Sequence, residues 1–198
     1  ILRDENDVLY EDDDSPNAHH IDGLIRFESD LAYEVYKYLR NGVFPMVVGG
    51  DHSIAVGSIK GAADYWHRHG EAMGLVWIDA HADMNTPRTS LSGNIHGMPL
   101  SALLGLGHER LVNIGGCGPM LRPEHVALLG IRNLDDGEKE VVRQTGIRYY
   151  TMTDIDQRGM YACISEAMDD LAQRCSAVHL SFDMDGVDPL YAPGVSTP

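Results

Sequence analysis

Three short apolar runs in this chain each end in a cluster of carboxylates and imidazoles, and that pattern restricts the available folds more than any other feature. Met46-Val47-Val48 leads into Gly49-Gly50-Asp51-His52-Ser53, Leu75-Val76-Trp77-Ile78 into Asp79-Ala80-His81-Ala82-Asp83, and Val178-His179-Leu180-Ser181-Phe182 into Asp183-Met184-Asp185. Runs of this length and composition read as buried strands. Between them lie segments with helical spacing. From Leu24, apolar residues at Phe27, Leu31, Val35 and Leu39 recur at three- and four-residue steps until Asn41-Gly42 supplies a stop. Helices are also predicted from His52 to about Trp66 and from Met160 to Cys175, with further strands at Leu111 to Ile114, Val126 to Ile131 and Arg148 to Tyr150. This alternation predicts an α/β fold with a mainly parallel sheet. The 198 residues are read as one domain spanning 1–198. The acidic run Glu11 to Asp14, followed by Ser15-Pro16-Asn17, reads as a solvated loop.

Open parallel sheets collect ligands beyond the carboxyl ends of their strands, so the three polar clusters are expected to converge. Alternate spacing in Asp79-x-His81-x-Asp83 and Asp183-x-Asp185 sends these side chains toward one side, and His52 completes a set of six. Four carboxylates packed together repel one another unless cations neutralise them. Oxygen donors mixed with imidazole suit hard to borderline divalent ions, Mn²⁺ in particular, although Fe²⁺, Co²⁺ and Zn²⁺ accept the same donors. So many carboxylates favour two ions over one, because metals roughly 3.5 to 4 Å apart can share bridging ligands and a water. No cysteine belongs to the set, which argues against a cysteine-type structural zinc site. His96, in the glycine-containing stretch Ser92-Gly93-Asn94-Ile95-His96-Gly97, is the candidate proton shuttle. The remaining histidines read as solvated or structural.

Charge narrows the partners. A net charge of -15 with no visible basic patch opposes nucleic-acid binding, while it suits a cationic small molecule. No apolar stretch is long enough for a membrane helix, and the first residues lack the layout of a signal peptide. Cys117, Cys163 and Cys175 form no close pair, which fits a reducing compartment, so a soluble cytoplasmic protein is expected.

The motifs Gly49-Gly50-Asp51-His52-Ser53, Asp79-Ala80-His81-Ala82-Asp83 and Ser181-Phe182-Asp183-Met184-Asp185-Gly186-Val187-Asp188-Pro189 closely resemble, in order and spacing, those of the arginase (ureohydrolase) family. The resemblance implies a three-layer α/β/α fold around a mainly parallel eight-stranded sheet, incomplete in this chain, with two Mn²⁺ ions at the strand ends. It implies that His52, Asp79, Asp83 and Asp183 hold one ion and that Asp79, His81, Asp183 and Asp185 hold the other. Asp83 would also accept a hydrogen bond from the attacking hydroxide, and His96 would pass a proton to the leaving amine. Asn85, Ser92 and Asn94 match the family residues that hold the α-carboxylate of L-arginine. Asp135 and, through water, Glu138 match those that receive its α-amino group. These features resemble arginase rather than agmatinase, whose substrate lacks the amino-acid end; a noncatalytic relative that retains the metal ligands is the rival from another class. The resemblance further implies a homo-oligomer, trimer or hexamer, and the chain reads as truncated at both ends, without the acidic residue that grips the guanidinium.

Overall fold

A computed structural model describes residues 17–116, 118–195 and 197. Its helices are α1 (Ile21–Arg40), α2 (Ala55–Arg68), α3 (Pro99–Leu103), α4 (Glu109–Val112), α5 (Asp136–Thr145), α6 (Met152–Arg158) and α7 (Met160–Ala172). Its strands are β1 (Met73–Ile78), β2 (Val126–Ile131), β3 (Arg148–Thr151) and β4 (Ala177–Phe182), all parallel in the order β3-β2-β1-β4.

Side chains alternate across the sheet and divide the core into two sides. Leu75, Trp77, Val126 and Leu128 face the cluster that includes Leu31, Val35 and Ile59 of α1 and α2. Val76, Ala127 and Leu129 face Cys163, Ala167 and Leu171 of α7. Burial of such aliphatic side chains contributes about 1.5–3 kcal/mol each, which anchors helices to both faces of the strands. This is the predicted α/β architecture with helices on either side of a parallel sheet.

Two predicted strands are absent. Met46-Val47-Val48 forms no strand: Phe44, Met46 and Val48 are 89%, 83% and 79% exposed, and among the described residues none pairs with their backbone in a ladder. An apolar run becomes a strand only where a partner supplies the hydrogen bonds. Leu111 to Ile114 instead forms α4 and a 3₁₀ turn, Ile114–Gly116. The His108 side chain caps α4 by accepting from the Arg110 N–H at 3.2 Å, and the helical turn sends Leu111 and Ile114 together into a pocket with Ile21 and Val56. The acidic run Glu11 to Asp14 lies outside the described residues, as does Cys117; Cys163 and Cys175 are free thiols. Among the described residues no helix is long and apolar enough to cross a membrane.

Strand register sets up the polar end of the sheet. Leu75–Ile78 pair with Val126–Leu129 on one side and with His179–Phe182 on the other, so β1 and β4 finish level while β2 runs two residues further, to Ile131. Past the last pairs, the Asp79 N–H donates to the Leu129 carbonyl at 3.1 Å and the Asp183 N–H donates to the Ile78 carbonyl at 2.9 Å. Gly130 adopts φ +92 and brings β2 against the Asp79 carbonyl, where an added Cβ would sit 3.1 Å from that oxygen.

Candidate metal centre

Because β1 and β4 end level, Asp79 and Asp183 emerge side by side. His52 reaches them from the other direction, on the 3₁₀ turn His52–Ile54 that opens α2. Asp51 caps that turn by accepting from the Ser53 N–H at 3.0 Å. The His52 ring stacks on Trp77 at 3.9 Å between centroids, and its Nε2 lies 2.8 Å from Ser181 Oγ. Both contacts aim Nδ1 at the carboxylates. Partners of this kind behind a metal-binding imidazole fix its orientation and tautomer.

His52 Nδ1 lies 2.8 Å from Asp79 Oδ2, 3.0 Å from Asp83 Oδ2 and 3.3 Å from Asp183 Oδ2. His81 Nδ1 lies 3.0 Å from Asp185 Oδ2 and 3.4 Å from Asp79 Oδ1. The predicted six therefore converge. They form two adjoining groups able to hold a cation, His52 with Asp79 and Asp183, and Asp79 with His81 and Asp185. Asp79 is common to both and offers a different oxygen to each histidine. Its Oδ2 also accepts from the Trp77 indole N–H at 3.0 Å, and its Oδ1 from the His81 backbone N–H at 2.7 Å.

The charges show what such a cluster requires. Burial opposes protonation of His52, but hydrogen bonds to Asp79 and Asp83 outweigh it and lift the imidazole to about 10. Hydrogen bonds to Asp185 and Asp79 carry His81 to about 10 as well. Burial acts to raise the Asp79 carboxyl, yet the two histidines overcome it and hold the group well below the ordinary carboxylate range. Burial, with the Asp79 charge beside it, pushes Asp83 upward; burial also raises Asp183. The donor set draws in positive charge, and its hard oxygens and two imidazoles fit divalent cations such as Mn²⁺.

The predicted substrate residues differ in exposure and in their contacts. The Asn85 Nδ2 amide donates to Asp135 Oδ2 at 2.8 Å, so these two lie together, with Asn85 buried. Ser92 and Asn94 are exposed on the stretch that follows Asn85, where Ser92 Oγ accepts from the Asn94 N–H at 3.2 Å. His96 is exposed, with Nδ1 3.8 Å from Asp51 Oδ2. Glu138 is only 3% exposed, and its carboxylate faces the backbone beneath the metal loop. Burial raises its carboxyl to about 7.

Sequence reasoning overlooked the supporting residues. Ser181 and Trp77 read as ordinary strand positions, and only their proximity to His52 and Asp79 in space reveals their roles. Arg132 reaches from the end of β2 to donate to the backbone carbonyls of Asp185 at 2.6 Å and Thr197 at 3.0 Å. Its backbone N–H donates to the Ala80 carbonyl at 2.9 Å, so one residue links the β1 and β4 loops.

Fold and site together define an α/β protein whose parallel sheet carries, at its carboxyl edge, two adjoining groups of side chains suited to divalent cations. Comparison with known proteins narrows the class: the chain belongs to the Arginase family, whose sequence profile matches residues 5–198. It is 48% identical over 190 residues to the arginase of Bacillus caldovelox, an alignment covering 96% of this chain and 62% of that protein. The solved structure of B. caldovelox arginase superposes with a TM-score of 0.89 over 95% of this chain and 62% of that one, at 46% identity. An Entamoeba histolytica arginase solved in complex with L-ornithine gives a TM-score of 0.80 at 34% identity, covering 88% of this chain and 58% of that one. The chain thus spans about 60% of the length of the relatives it matches.

Proposed function

We propose that this protein hydrolyses L-arginine to L-ornithine and urea, using two Mn²⁺ ions held by His52, Asp79, His81, Asp83, Asp183 and Asp185. The observation that carries this reading is the shared Asp79, whose two oxygens face separate imidazole–carboxylate groups. His52, Asp79, Asp83 and Asp183 would hold one ion, and Asp79, His81, Asp183 and Asp185 the other. Bound there, a pair of divalent ions supplies Lewis acidity that makes water nucleophilic at neutral pH.

The chain's own residues do the rest. Asp83 accepts a hydrogen bond from the nucleophile and steadies the tetrahedral carbon formed when the guanidinium is attacked. His96, exposed beside Asp51, donates a proton to the departing δ-nitrogen of ornithine. Asn85, Ser92 and Asn94 offer neutral hydrogen-bonding groups to the α-carboxylate, and Asp135 receives the α-amino group, with Glu138 assigned by family resemblance to the same end through water. The Entamoeba relative, solved with L-ornithine, supports a product with an amino-acid end. Membership of the family supports a cytoplasmic homo-oligomer, trimer or hexamer.

Urea release after Mn²⁺ loading, measured with L-arginine and agmatine in parallel, tests the reading. Preference for L-arginine is expected. Preference for agmatine would overturn the roles of Asn85, Ser92 and Asn94 while leaving the metal centre intact, and release from neither would overturn the activity. His96→Ala is expected to retain both metals and lose turnover.

A further inference from the structure

Asp83 is the one metal-centre residue whose backbone lies in the left-handed region, at φ +49. A non-glycine residue holds that conformation only when its surroundings fix it. Here they do so from both sides. The Asp83 carbonyl accepts from the Leu100 N–H at 3.1 Å and the Ser101 N–H at 3.3 Å, at the start of α3. On the other side, a single oxygen, Glu138 Oε1, accepts from both flanking amides, Ala82 N–H at 3.2 Å and Met84 N–H at 3.1 Å.

Glu138 is itself held in place. It sits in the first turn of α5, where the Asp135 side chain accepts from its N–H at 2.8 Å. The preceding Gly137 packs so closely on Thr89 that an added Cβ would lie 2.9 Å from the Thr89 Cβ. The carboxylate is therefore delivered under the loop by a docked helix start.

We propose that Glu138 is a positioning residue for the metal centre, bridging the amides on either side of Asp83 so that the Asp83 carboxylate faces His52. The bridging oxygen, Oε1, is committed to the loop backbone, and the side chain is buried, so this role is additional to the water-mediated contact proposed for the same residue. The proposal rests on Asp83 being a metal ligand and is independent of which guanidino compound is hydrolysed.

The experiment is a Mn²⁺ titration of the full chain carrying Glu138→Gln or Glu138→Met, followed by calorimetry and by electron paramagnetic resonance of the coupled ion pair, with folding checked by circular dichroism. Gln keeps an acceptor oxygen and should bind both ions within about threefold of the unsubstituted protein. Met fills the same space without an acceptor, and the ion on the His52 and Asp83 side should weaken about 10- to 100-fold while the ion on the His81 and Asp185 side is retained. Unchanged binding of both ions by the Met variant would overturn the proposal, as would equal losses in Gln and Met or a parallel loss of both ions. Should the Met variant not fold, hydrogen exchange in the unsubstituted and Gln proteins decides: slow exchange at Ala82 and Met84 in both supports the bridge, and exchange as fast as in exposed loops overturns it. None of these readouts uses urea release, so failure of the assigned activity remains distinguishable from failure of the bridge.

Discussion

Replacing Glu28 by Gln should flatten the fall of stability with pH. Glu28 lies in α1 at 1% exposure, and its Oε2 accepts from the Gly57 N–H of α2 at 2.6 Å. Burial raises the carboxyl from 4.5 to about 8, with the Gly57 hydrogen bond opposing and the nearby Asp51 charge adding to it. In the unfolded chain the group ionises near its ordinary value, so between these two values the folded state keeps a proton that the unfolded state loses. Stability from the neutral form is therefore complete below about 4.5 and is lost as pH rises through about 8. At about 1.36 kcal/mol per pH unit, this one group lowers stability by about 3 kcal/mol between pH 5 and pH 8. Gln cannot ionise and retains an oxygen for the Gly57 N–H. Urea unfolding of both metal-free proteins at pH 5 and pH 8 measures the effect, and taking the difference cancels the other titrating groups they share. The Gln variant should gain about 3 kcal/mol relative to the unsubstituted protein on going from pH 5 to pH 8. A difference that stays constant across that range would refute the assignment of a buried, proton-bearing carboxyl.

Metal binding should release protons, since both His52 and His81 are lifted to about 10 and carry protons at neutral pH before a cation enters. Apparent Mn²⁺ affinity should rise as pH increases toward those values, and the calorimetric enthalpy should vary with the ionisation enthalpy of the buffer; identical enthalpies in phosphate and Tris would contradict this. Ser181→Ala removes the partner 2.8 Å from His52 Nε2 and is expected to weaken Mn²⁺ binding about 10-fold with little change in melting temperature. Gly61→Ala would drive a methyl group into the Ala32 carbonyl where α1 crosses α2, so a loss of about 1–3 kcal/mol is expected in thermal unfolding, with retention of the native melting temperature as the opposing result.

The candidate metal ligands were legible because their signal is local, each motif following a short apolar run. The expected alternation did not carry it, since β1 stops at Ile78 and β4 at Phe182, and the side chains beyond them converge from turns, with Asp83 at φ +49. The α/β architecture was legible for the same reason, and α1 begins within three residues of the predicted start at Leu24. The two misread strands show where local information fails. The run Leu111-Val112-Asn113-Ile114 is too short for its period to separate strand from helix, and it is the His108 cap and the pocket beside Ile21 and Val56 that select the helix. Met46-Val47-Val48 has the composition of a strand, but a ladder needs a neighbour that composition cannot name. The supports of the centre were hidden for a related reason. Ser181, Arg132 and Glu138 act across gaps of 129, 53 and 56 residues to His52, Asp185 and Ala82, and no periodicity links positions so far apart.

Asp79 shows why these distant links and the local pattern must agree. Its backbone extends the β1–β2 ladder through the Leu129 carbonyl, one carboxylate oxygen faces His52, and the other faces His81. A register slip of one residue between β1 and β4 would reverse the face of every side chain on the shifted strand, separating Asp183 from Asp79 and burying Phe182 where a carboxylate belongs. The sheet therefore cannot settle into a neighbouring register without dismantling the charge cluster, and the cluster cannot assemble unless β1 and β4 finish level. Trp77 joins the two requirements in one side chain: its ring packs in the core with Leu75 and Leu128 while it stacks on His52, and its N–H is spent on Asp79. Packing of the apolar layer and placement of the ligands are thus a single constraint, which is why the centre sits at the end of the strands rather than on a loop free to move independently of them.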